Sequence, residues 1–227
     1  MQNQQERRRL VDVLQEMSRS GLVISTAGNA SIRIDDDLVA ISPSRLPYDS
    51  MQASDICLVH LNGALIDGHP HPSSEMQLHL DIYRATDARA VVHTHSKAAA
   101  VVSTVADQLP AIHYYINQLG GAPIRVAPYF TFGTKELANA VVAALRGRTG
   151  ALMANHGAVA IGDTVDEAYS RATVLEWLCE VWCSAQTLGT PRLLSDEQLQ
   201  DAERRRERSV YEQMQAERAP RSSAPAN

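Results

Sequence analysis

The spacing of apolar residues divides the first part of the chain into one helical and two strand-like segments. Residues 6–20 carry apolar side chains three and four positions apart, which predicts an opening amphipathic helix. Residues 22–44 instead alternate apolar and polar side chains around turn residues, which predicts two or three short strands. Residues 56–68 repeat that alternation around Asn62-Gly63, a dipeptide typical of a tight hairpin.

From residue 71 onward, helical and strand-like segments follow one another without strict alternation. The predicted elements are a helix over 71–85, a strand over 90–95, a helix near 96–106, a strand over 122–129, a helix over 133–147, a strand pair over 150–162 and a long helix from 165 to about 187. This order predicts an α/β fold, a three-layer α/β/α sandwich in which helices flank a central, mainly antiparallel sheet.

Length and charge narrow the class of protein. A chain of 227 residues favours one domain, placed here at 1–215, and the Pro- and Ser-containing segment 216–227 is predicted to be a disordered tail. The net charge of -5 argues against a general nucleic-acid binder, whose affinity rests on a cationic face. The three cysteines form no disulfide framework. Because no apolar run is typical of a signal peptide or a membrane span, we expect a soluble, cytoplasmic protein.

Two histidines at the end of an apolar run are the first candidates for chemistry. Alternate side chains of a strand share a face, so His93 and His95 project to the same side and their rings converge. His156 stands between a buried-strand run and Gly157, which lets the backbone turn sharply. Glu75 stands at a helix start, where the helix-end potential favours a carboxylate that faces a cation. Three histidines and a carboxylate are a donor set typical of catalytic zinc.

Two other interpretations of these residues stay open at this point. An isolated pair of histidines more often satisfies hydrogen bonds in a core than binds a metal ion. His79 lies four residues beyond Glu75 and competes as a ligand, because residues at that spacing share one face of a helix. Residue spacing alone therefore identifies a candidate zinc site and indicates no particular reaction.

A second group of small polar residues predicts an anion site. Glycine in the segment 26–31 lets backbone N–H groups approach a ligand closely, and hydroxyl residues follow in the segments 42–44 and 72–75. The last segment opens a helix, and helix N-termini bind phosphate readily. Each segment alone is more often only a cap or a turn. The candidate phosphate-binding residues are Thr26, Gly28, Asn29, Ser44, Ser73 and Ser74.

Taken together, the motifs of this chain resemble those of the class II aldolase/adducin family, and within it the zinc-dependent L-fuculose-1-phosphate aldolases. They occur in the family's order and span nearly the whole chain before the predicted tail. The motifs are TAGNAS (26–31), PSSE (72–75), HTH (93–95), IHYYINQLGG (112–121), APYFTFGTKEL (127–137) and NHG (155–157).

The resemblance implies a metal-dependent aldolase that reversibly cleaves a ketose 1-phosphate to dihydroxyacetone phosphate and an aldehyde. L-fuculose 1-phosphate and a 5-deoxypentulose 1-phosphate are the implied substrates. One Zn2+ per chain would be held by Glu75, His93, His95 and His156. Glu75 would also act as the acid and base, and Tyr114 would donate a proton to the aldehyde oxygen in a neighbouring subunit's site. The family further implies a homotetramer with sites at subunit boundaries.

This chain departs from the family pattern at two positions, and both lie where the family's enzymes select their aldehyde. Arg45 stands where these aldolases usually carry glycine, and Tyr211 is only an approximate counterpart of a tyrosine that covers the aldehyde. Related enzymes keep the same ligands, so the alternatives are a pentulose-phosphate 4-epimerase, a methylthioribulose-phosphate dehydratase and a sugar-acid phosphate decarboxylase. A non-enzymatic, adducin-like assembly module is a further alternative, and the ligand set also accepts manganese or cobalt.

Overall fold

The described chain, residues 3–218 of a computed structural model with side chains as far as residue 209, folds into elements close to the predicted ones. The strands are β1 (Asn29–Arg33), β2 (Leu38–Ile41), β3 (Cys57–His60), β4 (Leu65–Asp67), β5 (Ala90–Thr94), β6 (Gln108–Leu109), β7 (Ile124–Ala127), β8 (Gly150–Met153) and β9 (Gly157–Gly162). The α-helices are α1 (Gln4–Arg19), α2 (Met76–Ala85), α3 (Lys97–Val105), α4 (Lys135–Ala144), α5 (Val165–Leu188) and α6 (Asp196–Arg218).

The strands of the described chain lie in one sheet, in the order β4-β3-β2-β1-β5-β9-β8-β7-β6. Neighbouring strands are antiparallel except β7 and β8, which run parallel. Parallel neighbours need a crossover connection, and α4 provides it between β7 and β8. The predicted α/β class with a mainly antiparallel sheet is thus confirmed.

Helices cover both faces of the sheet, which gives the three predicted layers. On one face, α2 and α4 pack against each other over an apolar cluster that includes Val91 and Val159. On the other face, α1 and α5 cover a second cluster that includes Leu14, Val92 and Ala172. Val91 and Val92 belong to different clusters because side chains alternate along a strand. His93, the next residue, therefore projects to the same face as Val91.

Three local features differ from the sequence prediction. The two-residue strand β6 and a short 3-10 helix over Tyr114–Leu119 lie in a segment predicted only as a loop. Both are too short to produce a recognisable period in the sequence. Glu75 is the N-cap residue of α2 and stands one position before the helix, whereas the sequence predicted it just inside.

The described chain divides into two compact units between Leu193 and Leu194. The first unit holds the whole sheet and α1 to α5, and the second holds α6. A single domain over 1–215 stays a prediction. Helix α6 continues past the predicted start of the disordered tail, while residues 219–227 and the side chain of Tyr211 lie outside the described residues. Among the described helices, none combines the length and apolar content needed to cross a bilayer.

The turn between β8 and β9 leaves no room for a side chain at Gly157. A Cβ atom there would lie 2.1 Å from the carbonyl oxygen of Thr94, on the strand that carries His93. At Gly147, by contrast, a Cβ would meet nothing within 4 Å, and only its φ of +68° disfavours alanine. The same substitution therefore tests a backbone clash at one position and strain alone at the other.

We expect Gly157→Ala to lower the free energy of unfolding by about 3 kcal/mol, because the added methyl forces the backbone of β5 to move. Gly147→Ala should cost about 1 kcal/mol from backbone strain alone. Urea unfolding of both variants measures the difference. Equal losses at the two positions would contradict the close contact between this turn and β5.

Candidate active site

Four ligand-type side chains from three separate segments meet at one point. His93 lies in β5 and His95 directly after it, Glu75 precedes α2, and His156 lies in the turn between β8 and β9. Each offers a ligand atom within 4.8 Å of the other three. They meet because β5 and β9 are paired neighbours, so the end of one and the start of the other share one end of the sheet. The structure thus brings together the four residues predicted to bind zinc.

The ring of His93 is oriented as metal-binding histidines usually are. Its Nδ1 atom donates to the carbonyl oxygen of Ala158 at 2.9 Å. When Nε2 carries no proton, its lone pair therefore points to the cluster. Nε2 lies 2.9 Å from His95 Nε2 and 3.0 Å from Glu75 Oε2. Two ring nitrogens at this distance repel each other unless a proton or a metal ion lies between them.

Glu75 is a buried carboxylate, 6% exposed, that its surroundings satisfy only in part. Oε2 accepts a hydrogen bond from Asn29 Nδ2 at 3.0 Å. Oε1 lies 3.2 Å from His156 Nε2, yet no hydrogen bond of acceptable geometry reaches it. A buried oxygen without a donor is costly, and a cation between the carboxylate and the imidazoles would remove that cost. The residues present therefore fit a bound divalent metal ion.

The charges of this cluster depend on one another. Burial raises the pKa of Glu75, but His93 and His156 outweigh it and hold the pKa of this carboxyl well below its usual range. Burial lowers the pKa of His93, but Glu75 outweighs it and raises the pKa of that ring. Burial, together with His93 and His156, lowers the pKa of His95 to about 3. The cluster thus pairs an ionised Glu75 with a proton on His93, which a metal ion would displace.

His79, the competing ligand, is not a member of the cluster. Its fully buried ring contacts Asn29 Oδ1 through Nε2 and Ser31 Oγ through Nδ1. Both ring nitrogens are occupied by these neighbours, so His79 adjoins the site without offering it a free ligand atom.

A cavity of about 390 Å³ lies over the ligand cluster and is lined by Glu75, His95 and His156. It also collects the residues predicted to bind phosphate, which come from three separate loops. The phosphate candidates in its lining are Thr26, Gly28, Asn29, Ser44, Ser73 and Ser74. The side chains suited to bind a phosphate and those suited to bind a metal ion therefore line the same cavity. The role of each residue stays a prediction.

One side of the cavity carries Ser44, Ser73 and Ser74. These serines lie in two loops that hydrogen bonds hold together. The Ser73 N–H donates to the Ser42 carbonyl oxygen at 3.0 Å, and the Ser44 N–H donates to the His71 carbonyl oxygen at 2.8 Å. These bonds bring hydroxyl groups from distant parts of the sequence to the N-terminus of α2. The positive potential of a helix N-terminus makes this position suited to an anion.

The sequence interpretation missed an aromatic side of the cavity. Tyr129, Phe130 and Phe132 line it from the loop between β7 and α4, and they are 61%, 38% and 62% exposed. Asn155, with a φ of 55°, lines it beside His156. Exposed aromatic residues clustered in one loop are a signal of a binding surface, and the motif APYFTFGTKEL displays that cluster in the sequence.

Tyr114 is not part of the cavity lining in its own chain. It is the first residue of the short 3-10 helix, is 48% exposed, and stacks on His113 with ring centroids 4.3 Å apart. An exposed position agrees with the implied role in a neighbouring subunit's site. That role, and the homotetramer it requires, stay predictions.

Several known proteins resemble this chain in sequence and in fold. Residues 8–183 match the family described as Class II Aldolase and Adducin N-terminal domain. A 5-deoxy-D-ribulose 1-phosphate aldolase of Bacillus thuringiensis serovar kurstaki is 38% identical over 200 residues, which are 87% of this chain and 93% of that protein. An L-fuculose phosphate aldolase of Escherichia coli strain K12 is 38% identical over 194 residues, 85% of this chain and 89% of that protein. A solved structure of an L-fuculose 1-phosphate aldolase has a TM-score of 0.84 at 33% identity, over 88% of this chain and 95% of that one.

The fold and the convergent histidines define an α/β protein with a candidate metal centre. The chain belongs to the class II aldolase and adducin family, as its motifs predicted. The matched region contains the four ligand residues and the phosphate candidates.

We expect the protein to bind about one divalent metal ion per chain and His95→Ala to lose it, because the site needs its histidine donors. His60→Ala, a change at a half-exposed histidine of β3, is the control and should keep the metal. Metal analysis after exhaustive dialysis measures both. The affinity for the metal ion should fall as the pH is lowered through the raised pKa of His93, because the metal ion has to displace the proton held on that ring. A full equivalent of metal in His95→Ala would contradict the assignment.

Proposed function

We propose that this protein is a zinc-dependent class II aldolase that cleaves a ketose 1-phosphate to dihydroxyacetone phosphate and an aldehyde. The observation that carries the proposal is the position of Glu75, which directly follows Ser73 and Ser74 and also contacts His93 and His156. A general base, a metal site and an anion site thus lie within the length of one small molecule. The named relatives, a 5-deoxy-D-ribulose 1-phosphate aldolase and an L-fuculose phosphate aldolase, support the same reaction class.

Glu75 is the group that moves a proton in this proposal. In the direction of synthesis, it takes a proton from the hydroxyl-bearing carbon beside the carbonyl group of dihydroxyacetone phosphate. The electron pair left there forms the new bond to the aldehyde carbon, and the aldehyde oxygen receives a proton, for which Tyr114 is the candidate donor. When bound, a divalent metal ion supplies Lewis acidity to the substrate oxygens. Cleavage follows the same path in reverse.

The remaining groups of the cavity bind and orient the substrate. Ser73 and Ser74 offer hydroxyls and backbone N–H groups at the start of α2, and Gly28 lets the opposite loop approach the phosphate closely. Three imidazoles and a carboxylate favour zinc, and this assignment is part of the proposal. The complete ligand set argues against a purely structural, adducin-like module.

The aromatic side of the cavity favours an aldehyde with an apolar end. Cleavage of a 5-deoxyribulose 1-phosphate between its third and fourth carbons leaves a two-carbon aldehyde that ends in a methyl group. Fuculose 1-phosphate likewise leaves a methyl-terminated aldehyde. Phe130 and Phe132 offer apolar surface to such a group and no hydrogen-bond partner to a terminal hydroxyl.

Arg45, in the lining of this cavity, has a backbone conformation that arginine rarely adopts. Its φ of +61° is the left-handed conformation in which glycine is free of strain. Its side chain is exposed, lines the cavity next to Ser44, and forms no ion pair within the described residues. A guanidinium without a partner beside an anion site supports a direct contact with the substrate phosphate.

We expect Glu75→Gln to keep its metal and its fold while turnover falls by about 100-fold or more, because the amide cannot accept the proton. The measurement is release of dihydroxyacetone phosphate from fuculose, rhamnulose, 5-deoxyribulose and methylthioribulose 1-phosphates, with and without a chelator. Glu180→Gln, at an exposed site on α5, is the matched control. Full activity of Glu75→Gln would contradict its role. No release by the metal-loaded wild type would point to an epimerase, dehydratase or decarboxylase.

We expect Arg45→Gly to raise the KM of the ketose 1-phosphate about tenfold, the equivalent of one charge-assisted hydrogen bond of about 1.5 kcal/mol. The same variant should be slightly more stable, by up to about 1 kcal/mol, because the backbone strain is relieved. Arg45→Ala separates the two effects, since it loses the guanidinium but keeps the strain. Steady-state kinetics and urea unfolding measure them. An unchanged KM in both variants would rule out the phosphate contact.

A further inference from the structure

A continuous chain of buried polar side chains connects Glu75 to the far end of α2. Glu75 Oε2 accepts from Asn29 Nδ2 at 3.0 Å, and Asn29 Oδ1 contacts His79 Nε2. His79 Nδ1 lies 2.7 Å from Ser31 Oγ, which lies 2.6 Å from the hydroxyl oxygen of Tyr83. The most exposed of these five residues, Glu75, is only 6% exposed.

This chain follows from the matching periods of a helix and a strand. Glu75, His79 and Tyr83 are four residues apart, which places them on one side of α2 at intervals of about 6 Å. Asn29 and Ser31 are two residues apart on β1, which places them on one face of the sheet about 6.6 Å apart. The strand side chains therefore fit between the helix side chains, and the five groups interleave in order.

The donor and acceptor roles follow from one end of the chain to the other. The Glu75 carboxylate only accepts, so the Asn29 amide nitrogen faces it and Asn29 Oδ1 accepts from His79 Nε2–H. Burial lowers the pKa of His79 to about 3, so the ring is neutral and its Nδ1 accepts from the Ser31 hydroxyl. Ser31 in turn accepts from the Tyr83 hydroxyl. Each donor thus points toward Glu75.

We propose that His79 is a positioning residue, which holds the carboxylate of Glu75 in place through the side chain of Asn29. Ser31 and Tyr83 hold His79 in the Nε2–H tautomer that this arrangement needs. The inference rests on the proposed function, in which Glu75 moves a proton. With His79 donating to its oxygen, the Asn29 amide is fixed in the orientation that donates to Glu75. The carboxylate then has a neutral partner that stays in place when its contacts with the histidines change.

Packing alone does not explain a histidine at this position. The neighbouring residues of α2, Leu78, Leu80 and Ile82, are buried and apolar. A buried imidazole needs partners for both ring nitrogens, whereas an aliphatic side chain of similar size needs none. His79 has both partners, and the partner on one side is the residue that contacts the general base.

The test compares His79→Leu, which removes both ring contacts, with His79→Gln, whose side-chain amide keeps a donor toward Asn29. We expect kcat to fall about 10- to 100-fold in His79→Leu and less in His79→Gln, with KM nearly unchanged in both. Ser103→Ala is the control, because it removes a hydroxyl of similar burial that bonds only to the Ala100 carbonyl oxygen. If His79→Leu does not fold, Ser31→Ala takes its place against the same control.

Two further readouts do not depend on turnover. The Zn2+ affinity of His79→Leu, measured by competition with a chromophoric chelator, should fall much less than kcat does, because the three histidine ligands remain. In protein with isotope-labelled histidine, NMR should show His79 as the Nε2–H tautomer, and Glu75→Gln should shift its signal because the charge at the end of the chain is removed.

Three outcomes would overturn the inference: a kcat of His79→Leu equal to that of the control, a parallel loss of kcat and Zn2+ affinity, or an Nδ1–H tautomer. A parallel loss would show that His79 only maintains the fold of the site. Wild-type protein that releases no dihydroxyacetone phosphate would overturn the proposed function instead, and the tautomer measurement would still decide the role of His79.

Discussion

A charged carboxylate in the interior of the protein is the constraint on which the rest of the site depends. An ionised group away from water is costly unless donors or cations surround it closely. Asn29 Nδ2 donates a hydrogen bond to one oxygen of Glu75, and the rings of His93 and His156 lie close to the carboxylate. A carboxylate held in this way is ionised and lines the cavity, which is the protonation state in which a carboxylate accepts a proton.

The order of strands supplies these partners at one place. Strand β5 is the middle strand of the sheet, with β1 on one side and β9 on the other. Asn29 of β1 pairs directly with His93, and Thr94 pairs with Ala158, so the turn that carries His156 lies against the end of β5. Helix α2 packs on the same face and brings Glu75 to this point. The cluster thus stands on the most enclosed part of the sheet, where neighbours on both sides limit its movement.

Sequence patterns predicted those parts of the site that depend on local periodicity. The two-residue period of a strand was enough to place His93 and His95 together, and an N-terminal helix position was enough to single out Glu75. The partnership of His79 with Asn29 could not be predicted, because it depends on which strand lies beneath α2 and in which register. The parallel pairing of β7 with β8 and the aromatic side of the cavity likewise depend on contacts between distant segments. His79 was weighed as a ligand because its spacing from Glu75 is visible in the sequence, whereas its bonds to Asn29 and Ser31 are not.

One half of the cavity is built on strand ends and a helix start, and the other half is built on loops. The ligand cluster and the serine loops are built on strand ends and a helix start that hydrogen bonds fix in place. Tyr129, Phe130 and Phe132 and the strained Arg45 instead lie on loops, with exposed side chains and few polar partners. Loop residues change without disturbing the sheet, so a family can keep one way of moving a proton beside a metal ion while its members select different aldehydes. In the proposed function, we therefore assign the choice of substrate to the aromatic loop and to Arg45.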